Sequence, residues 1–130
     1  MGNFFYKNSF RHCYFCECIS NNNGLYYIIN KNKSGGRIFC YNCLFLNNSN
    51  KSAIKFTGPL EVINSIFIGN SVSTDASAIE FWGPNYPLTI DNCSFIGNEG
   101  GVAAVRTMTS ALNITNSTFQ ENNPTAVHNY

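Results

Sequence analysis

Short stretches in which apolar and polar residues alternate recur along the chain. Alternation at a period of two residues is typical of β-strands with one buried face. Two sets of stretches show it, at residues 38–41, 60–63, 88–91 and 112–115, and at residues 53–56, 78–81, 104–107 and 126–129. Clusters of Gly, Pro, Asn and Thr separate many of these stretches and are typical of turns. The pattern therefore predicts a chain of short strands without helices.

One motif, Asn-[Cys/Ser]-x-Phe-x-x-Asn, lies between the two stretches of each unit and occurs four times. A degenerate fifth copy at residues 12–18 keeps the cysteine and phenylalanine positions but neither asparagine. The phenylalanines of the five copies are Phe15, Phe45, Phe67, Phe95 and Phe119. The first asparagines of the four full copies are Asn42, Asn64, Asn92 and Asn116. The phenylalanines are 30, 22, 28 and 24 residues apart, so the repeat varies in length.

A unit of this size, without a helix, can bury its apolar face only against the neighbouring units. The repeat therefore predicts an all-β parallel solenoid of about five rungs, incompletely capped, with rungs about 4.8 Å apart. We expect a phenylalanine ladder inside and an asparagine ladder at a bend, because asparagine tolerates the left-handed conformation. The expected divisions are an irregular rung or cap at residues 1–33 and the repeats at residues 34–130. The alternative, an ordinary β-sandwich, requires four columns to repeat in phase by chance.

At these motifs the chain resembles the right-handed parallel β-helix superfamily, the pectin-lyase-like proteins. More narrowly, it is similar to the repeats of polymorphic membrane proteins, whose signatures are Phe-x-x-Asn and Gly-Gly-Ala-[Ile/Leu/Val]. The first signature is matched in full four times, and the second only loosely at residues 35–38 and 100–103. The resemblance implies a right-handed coil, surface display and adhesion. Localisation stays open, with the cell surface or the extracellular space implied by the resemblance alone.

Composition and charge narrow the classes of partner. The chain has 130 residues, of which 44% are hydrophobic and 12% charged, and its net charge is +1. A single domain without a strong global field is expected, which argues against nucleic acid as a partner. The longest apolar run, residues 25–29, is too short to span a bilayer, and residues 1–6 do not resemble a signal peptide. Residues 1–55 carry seven bases and one acid, and residues 56–130 one base and six acids. We interpret this as drift in composition within a longer repeat array, with end-to-end self-association or docking of an anionic glycan on the basic half as the alternatives.

Glu61 and Asp91 are the nearest approach to a catalytic pair, because they lie on neighbouring rungs of one predicted sheet. Glycoside hydrolysis needs two carboxyl groups on either side of the bond. The two residues stand two positions apart in the repeat, and neither a further acid nor a histidine or arginine joins them on that face. We therefore interpret both as surface acids, and a polysaccharide lyase or glycoside hydrolase fragment remains the alternative.

A second row of outward residues is formed by Lys55, Glu80, Arg106 and His128 on four successive rungs. Opposite charges on neighbouring strands stabilise pairing by about 0.2–1 kcal/mol per pair. We therefore interpret Lys55, Glu80 and Arg106 as a structural charge ladder, with a sugar-binding row as the alternative. Trp82 and Tyr86 lie in the longest turn, where they either form a stacking platform for sugar or pack against the wall.

The cysteines offer a further alternative. Cys13-x-x-Cys16-x-Cys18 and Cys40-x-x-Cys43 have the spacing of zinc ligands. However, the repeat already explains Cys13 and Cys43 as small corner residues, a position that serine fills elsewhere. A disulfide between Cys13 and Cys43 on adjacent rungs is compatible with bridge geometry, and buried free thiols are the other reading. We expect no metal and no cofactor.

Taken together, these patterns favour a non-catalytic, adhesin-type surface module that forms part of a longer protein. Its expected partners are a glycan or a host surface protein, with no nucleic acid and no insertion into a membrane.

Overall fold

The computed structural model describes residues 37–49, 51–109 and 111–130, together with the strand backbones at residues 12–16 and 19–21. The strands are β1 His12–Cys16, β2 Ile19–Asn21, β3 Arg37–Tyr41, β4 Leu44–Leu46, β5 Ile54–Phe56, β6 Leu60–Ile63, β7 Ile66–Ile68, β8 Ile79–Phe81, β9 Leu88–Asp91, β10 Ser94–Ile96, β11 Val105–Thr107, β12 Leu112–Thr115, β13 Thr118–Gln120 and β14 Val127–Asn129. Helices are absent from these described residues. Both sets of predicted strands are present, and a third set lies inside the motif.

The strands coil into a parallel β-solenoid with three walls. Sheet A has the order β1-β3-β6-β9-β12, sheet B the order β2-β4-β7-β10-β13, and sheet C the order β5-β8-β11-β14. Every strand pairing in the described part of the chain is parallel. One rung contributes one strand to each sheet, so β3–β14 form four complete rungs, and β1 and β2 lie before them. The predicted all-β solenoid is confirmed, and the β-sandwich alternative is wrong.

The core is a stack of aligned side chains, because each residue lies above its counterpart in the previous rung. Phe45, Phe67, Phe95 and Phe119 point inward from sheet B, with ring centroids 4.5, 4.7 and 4.6 Å apart. Their ring planes lie within 6° of parallel. Sheets A and C close the core with aliphatic and aromatic residues, among them Ile38, Val62, Ile90, Ile54, Ile79 and Val105.

The first asparagine of each motif forms the bend between sheets A and B. Asn42, Asn64, Asn92 and Asn116 have φ values of 55°, 50°, 51° and 49°, the left-handed region that asparagine tolerates best among residues with a side chain. The bend after sheet B also has positive φ, at Asn47, Gly69, Gly97 and Glu121. Positive φ at two successive corners lets strands of three to five residues meet at sharp angles.

At the first asparagine of the motif, where the sequence predicts the ladder, one amide hydrogen bond between asparagines is found among the described residues. At the first asparagine the side chains are exposed, and Asn92 donates to Asn64 over 2.7 Å, whereas Asn116 donates to Asp91. The continuous ladder is formed by the last asparagine of each motif, which lies just after the positive-φ residue of the second bend and points inward. Its members are Asn48, Asn70, Asn98 and Asn122, linked by amide hydrogen bonds of 2.8, 2.8 and 2.9 Å.

The degenerate copy departs from the predicted columns. The strand β1 pairs with β3 in sheet A, with Phe15 opposite Cys40 and Cys13 opposite Ile38. Ser20 of β2, not Phe15, is opposite Phe45. Phe15 is therefore not in register with the phenylalanine ladder, and the placement of Cys13 beside Cys43 by column is also wrong. The predicted boundary between residues 33 and 34 lies outside the described residues.

Candidate functional site

The outward row of sheet C is in register, as the alternation predicts. Lys55 of β5 is opposite Glu80 of β8, which is opposite Arg106 of β11, followed by His128 of β14. Ile54, which precedes Lys55 on β5, points into the core, as do its counterparts on the other rungs. Because successive side chains of a strand point to opposite faces, the charged side chains lie on the outer face of sheet C. The result is a line of alternating charge from Lys55 to Arg106. Beyond it, the rings of His128 and Tyr130 lie 4.5 Å apart between centroids, with their planes tilted by 30°.

Glu80 is completely buried although it lies on the outer face. Its Oε1 accepts a hydrogen bond of 2.7 Å from Arg106 Nε, and its Oε2 accepts one of 2.8 Å from the backbone N–H of Ala76. The segment 69–78 connects β7 to β8 and folds over the sheet, excluding water from the carboxylate. A Cβ atom added at Gly101 would lie 2.3 Å from Ser73 O, so this segment packs directly against the next rung. Glu80 is therefore a support for Arg106 and has no surface that a ligand could contact.

Asp75 completes the cluster, although the alternation of the strands does not predict it. Its carboxylate binds Lys55 Nζ over 2.9 Å and Arg106 Nη2 over 3.1 Å. Lys55 thus pairs with Asp75, and Arg106 pairs with both Asp75 and Glu80. The only sequence signal was a connection between strands longer than its counterparts, with an acid in it. The alternation within strands does not predict which acidic residue in a connecting segment will contact the charged residues of sheet C.

Burial opposes the charged form of Arg106, but the hydrogen bond and charge of Glu80, together with Asp75, outweigh it. The pKa of Arg106 is therefore raised above its ordinary value. The side chain of Arg106 is 13% exposed, so most of its hydrogen-bonding surface is used internally. Its guanidinium carbon lies 5.0 Å from the centre of the Trp82 ring, a cation–π contact.

Trp82 and Tyr86 differ in how much surface they present. Trp82 is 37% exposed at the end of β8, and Arg106 supports its ring. Tyr86 is partly buried and packs against the core. Gly83 lies between them, where a Cβ atom would be 2.6 Å from Phe81 Cζ, so the turn lies tightly on the wall. The structure thus brings Lys55, Trp82 and Arg106 to one surface of sheet C, with Tyr86 in the same turn.

Glu61 and Asp91 lie on the outer face of sheet A, on adjacent rungs but not opposite each other. Arg37 of β3 lies near Glu61 on the same face, so the expectation that no arginine joins these acids is wrong. Glu61 is opposite Thr89, and Asp91 is opposite Ile63. The hydroxyl of Thr115 and the amide of Asn116 donate to Asp91 Oδ1 over 2.5 and 3.0 Å. These hydrogen bonds lower the pKa of Asp91, which favours a charged acceptor over a proton donor.

The second residue of each motif is a cysteine or a serine, and it lies at the bend between sheets A and B. Cys93 Sγ lies 3.2 Å from Asp91 O, and Ser65 Oγ donates to Ile63 O over 2.9 Å while accepting from Cys43 N over 3.1 Å. Burial raises the pKa of the Cys93 thiol to about 11, so it is not a reactive thiolate. The side chain of Cys13 lies outside the described residues, and its disulfide with Cys43 stays a prediction.

The spacing of the cysteines makes zinc binding an alternative for this chain. Within the part of the chain that the structure describes, no three His, Cys, Asp or Glu side chains are grouped as metal ligands. Cys18 and the side chains of Cys13 and Cys16, which belong to the zinc alternative, lie outside that part. In the described residues, no helix is long and apolar enough to cross a membrane.

Searches against protein-family models, curated proteins and solved structures found no match to this chain.

Proposed function

We propose that this chain is a non-catalytic β-solenoid module of a longer, adhesin-type surface protein, and that it binds a glycan or a host protein through sheet C. The observation that carries the proposal is the platform formed by Trp82 and Arg106. The indole ring is exposed, and the guanidinium beneath it is held by Asp75 and by the buried Glu80.

Such a platform suits recognition because its parts are already ordered before a ligand arrives. Immobilising a flexible side chain on binding costs about 0.5–1.5 kcal/mol, a cost that Arg106 has already met in folding. Tryptophan, tyrosine and arginine are also the residues that most often dominate binding energy at interfaces. Lys55 and Tyr86 supply further polar and aromatic surface beside the platform. Surface display and the longer protein follow from the repeat signature and belong to the proposal.

The proposal is tested by the binding of the labelled chain to arrayed neutral and acidic glycans and to cultured epithelial cells. Trp82→Ala is expected to weaken binding about tenfold, equivalent to ~1.4 kcal/mol. Ile66→Ala is the matched control, because Ile66 is an equally exposed apolar residue on sheet B. Both variants are compared with the unmodified chain in thermal melts. Failure of the unmodified chain to bind either surface, or an equal loss in the two variants, would contradict the proposal.

A further inference from the structure

A cavity of about 70 Å³ opens on the outer face of sheet A, away from the platform on sheet C. Six outward residues surround it, two from each of three rungs: Arg37, Phe39, Pro59, Glu61, Pro87 and Thr89. Their arrangement follows from the register, because Phe39 is opposite Glu61, which is opposite Thr89. Given the spacing of strands and residues, this patch measures roughly 10 by 7 Å.

The two charged residues of the cavity are not paired with each other. Arg37 and Glu61 lie on different rungs and in different columns, and among the described residues neither forms a salt bridge or a side-chain hydrogen bond. This contrasts with sheet C, where Arg106 donates from Nε to Glu80 and from Nη2 to Asp75. The cavity therefore presents an unused cluster of donors and an unused acceptor side by side.

The remaining residues give the cavity a rigid apolar frame. Pro59 and Pro87 immediately precede the strands β6 and β9, where they have no N–H to satisfy. Their carbonyls accept hydrogen bonds from Ile38 N over 3.0 Å and from Leu60 N over 3.2 Å. Phe39 is half-buried, and its ring is stacked on that of Tyr41 at 14°. Both prolines and the aromatic ring are thus held in place before a ligand binds.

From this geometry we propose that the cavity binds one hexose unit of a neutral glycan. A sugar hydroxyl can donate to the Glu61 carboxylate, and another can accept from the Arg37 guanidinium or the Thr89 hydroxyl. Phe39 offers an apolar surface to the C–H bonds of the ring. Opposite charges at one site disfavour a ligand with a strong net charge, because one of the two residues would repel it. The cavity is large enough to hold several waters, which the sugar would displace.

The inference rests on the proposed binding role and adds a second surface to it. It is tested by titrating the isotope-labelled 130-residue chain with cellohexaose, maltohexaose and mannohexaose, up to about 10 mM, while backbone amide shifts are recorded. Saturable shifts centred on residues 37–39, 60, 61, 88 and 89 are expected for at least one sugar. Glu61→Gln preserves the shape of the side chain and should weaken the fitted Kd about tenfold.

Glu99→Gln is the control, because Glu99 is an exposed acid outside sheet A and should leave Kd unchanged. The amide spectrum of each variant also shows directly whether it is folded. The inference is overturned if no sugar gives saturable shifts at these residues, or if a zwitterionic tripeptide shifts them and the sugars do not. Shifts confined to Lys55, Trp82 and Arg106 would also overturn it, while leaving the proposed role of sheet C supported.

Discussion

The side-chain amide of Asn70 donates to Asn98 Oδ1 over 2.8 Å and, with its second hydrogen, to Phe45 O over 3.0 Å. The Oδ1 atom of Asn70 accepts from both the backbone N–H and the amide of Asn48. All four hydrogen-bonding positions of a fully buried amide are therefore satisfied by the adjoining rungs. The same arrangement repeats at Asn98, so the ladder joins each corner of the solenoid to the next.

Removing one member of this ladder should be costly. We expect Asn98→Ala to lower the free energy of unfolding by about 3–5 kcal/mol, because the N–H and the amide of Asn70 lose their shared acceptor in a buried site. Asn98→Asp should be at least as damaging, because it places a charged acceptor against Phe67 O and Asn122 Oδ1. Denaturant unfolding measures both. The exposed Asn123→Ala should change stability by less than about 0.5 kcal/mol, and an equal loss there would refute the ladder's role.

The ion cluster of sheet C should be sensitive to the loss of one buried partner. Arg106→Met leaves the carboxylate of Glu80 buried without its counter-charge, and we expect a loss of about 3–5 kcal/mol. Lys55→Met removes only a partly exposed pair with Asp75 and should cost less than about 1 kcal/mol. Chemical denaturation of the two variants compares them directly. A Lys55 variant as unstable as the Arg106 variant would show that the burial of Glu80 is not the decisive feature.

Glu121 is strained by its φ of 54°, in a column where two other rungs have glycine. The left-handed conformation costs a residue with a Cβ atom about 1–2 kcal/mol, and glycine loses about 0.5–1 kcal/mol more chain entropy on folding. Glu121→Gly should therefore raise the free energy of unfolding by up to ~1 kcal/mol. Gly97→Ala should lower it by a similar amount, and a Cβ there meets no atom within 4 Å, so the effect is conformational. Thermal melts measure both variants. A lower melting temperature for Glu121→Gly, or a higher one for Gly97→Ala, would contradict this account.

Stability should fall at alkaline pH because of Cys93. Its pKa rises from 9.0 to about 11 on burial, so the folded state holds its proton in a range where the unfolded state releases it. The protonated Cys93 thiol therefore contributes about 3 kcal/mol to the free energy of unfolding. This contribution is fully present below pH 9 and is lost as the pH rises towards 11. Cys93→Ser is the control, since Ser65 occupies the same column, and it should flatten the decline. Urea unfolding between pH 8 and about 11 measures it, and an unchanged slope in Cys93→Ser would assign the decline to other groups.

The strand positions, the parallel coil and the phenylalanine column follow from the sequence because they depend on local information. Alternation at a period of two marks each strand, and a repeat without helices can bury Phe67 only between Phe45 and Phe95. The bend at Asn64 and its equivalents is local in the same sense, since it depends on the backbone preference of one residue type. On the functional side, the row of Lys55, Glu80 and Arg106 was predictable from register alone.

Other features depend on how the corners and connections fold in three dimensions. The two asparagines of the motif are equivalent in the sequence, and only the geometry of the second bend turns Asn70 inward while Asn64 stays in solvent. Asp75 reaches Lys55 and Arg106 because its connection folds over sheet C, and the two contacts span 20 and 31 residues. The offset of Phe15 arises from strand pairing between β1 and β3, which a motif with missing asparagines does not specify. The cavity at Arg37 and Glu61 likewise needs three rungs in register. Alternation along the chain is enough to predict each wall, but which side chains meet on its outer face depends on how the rungs stack and how the connections fold.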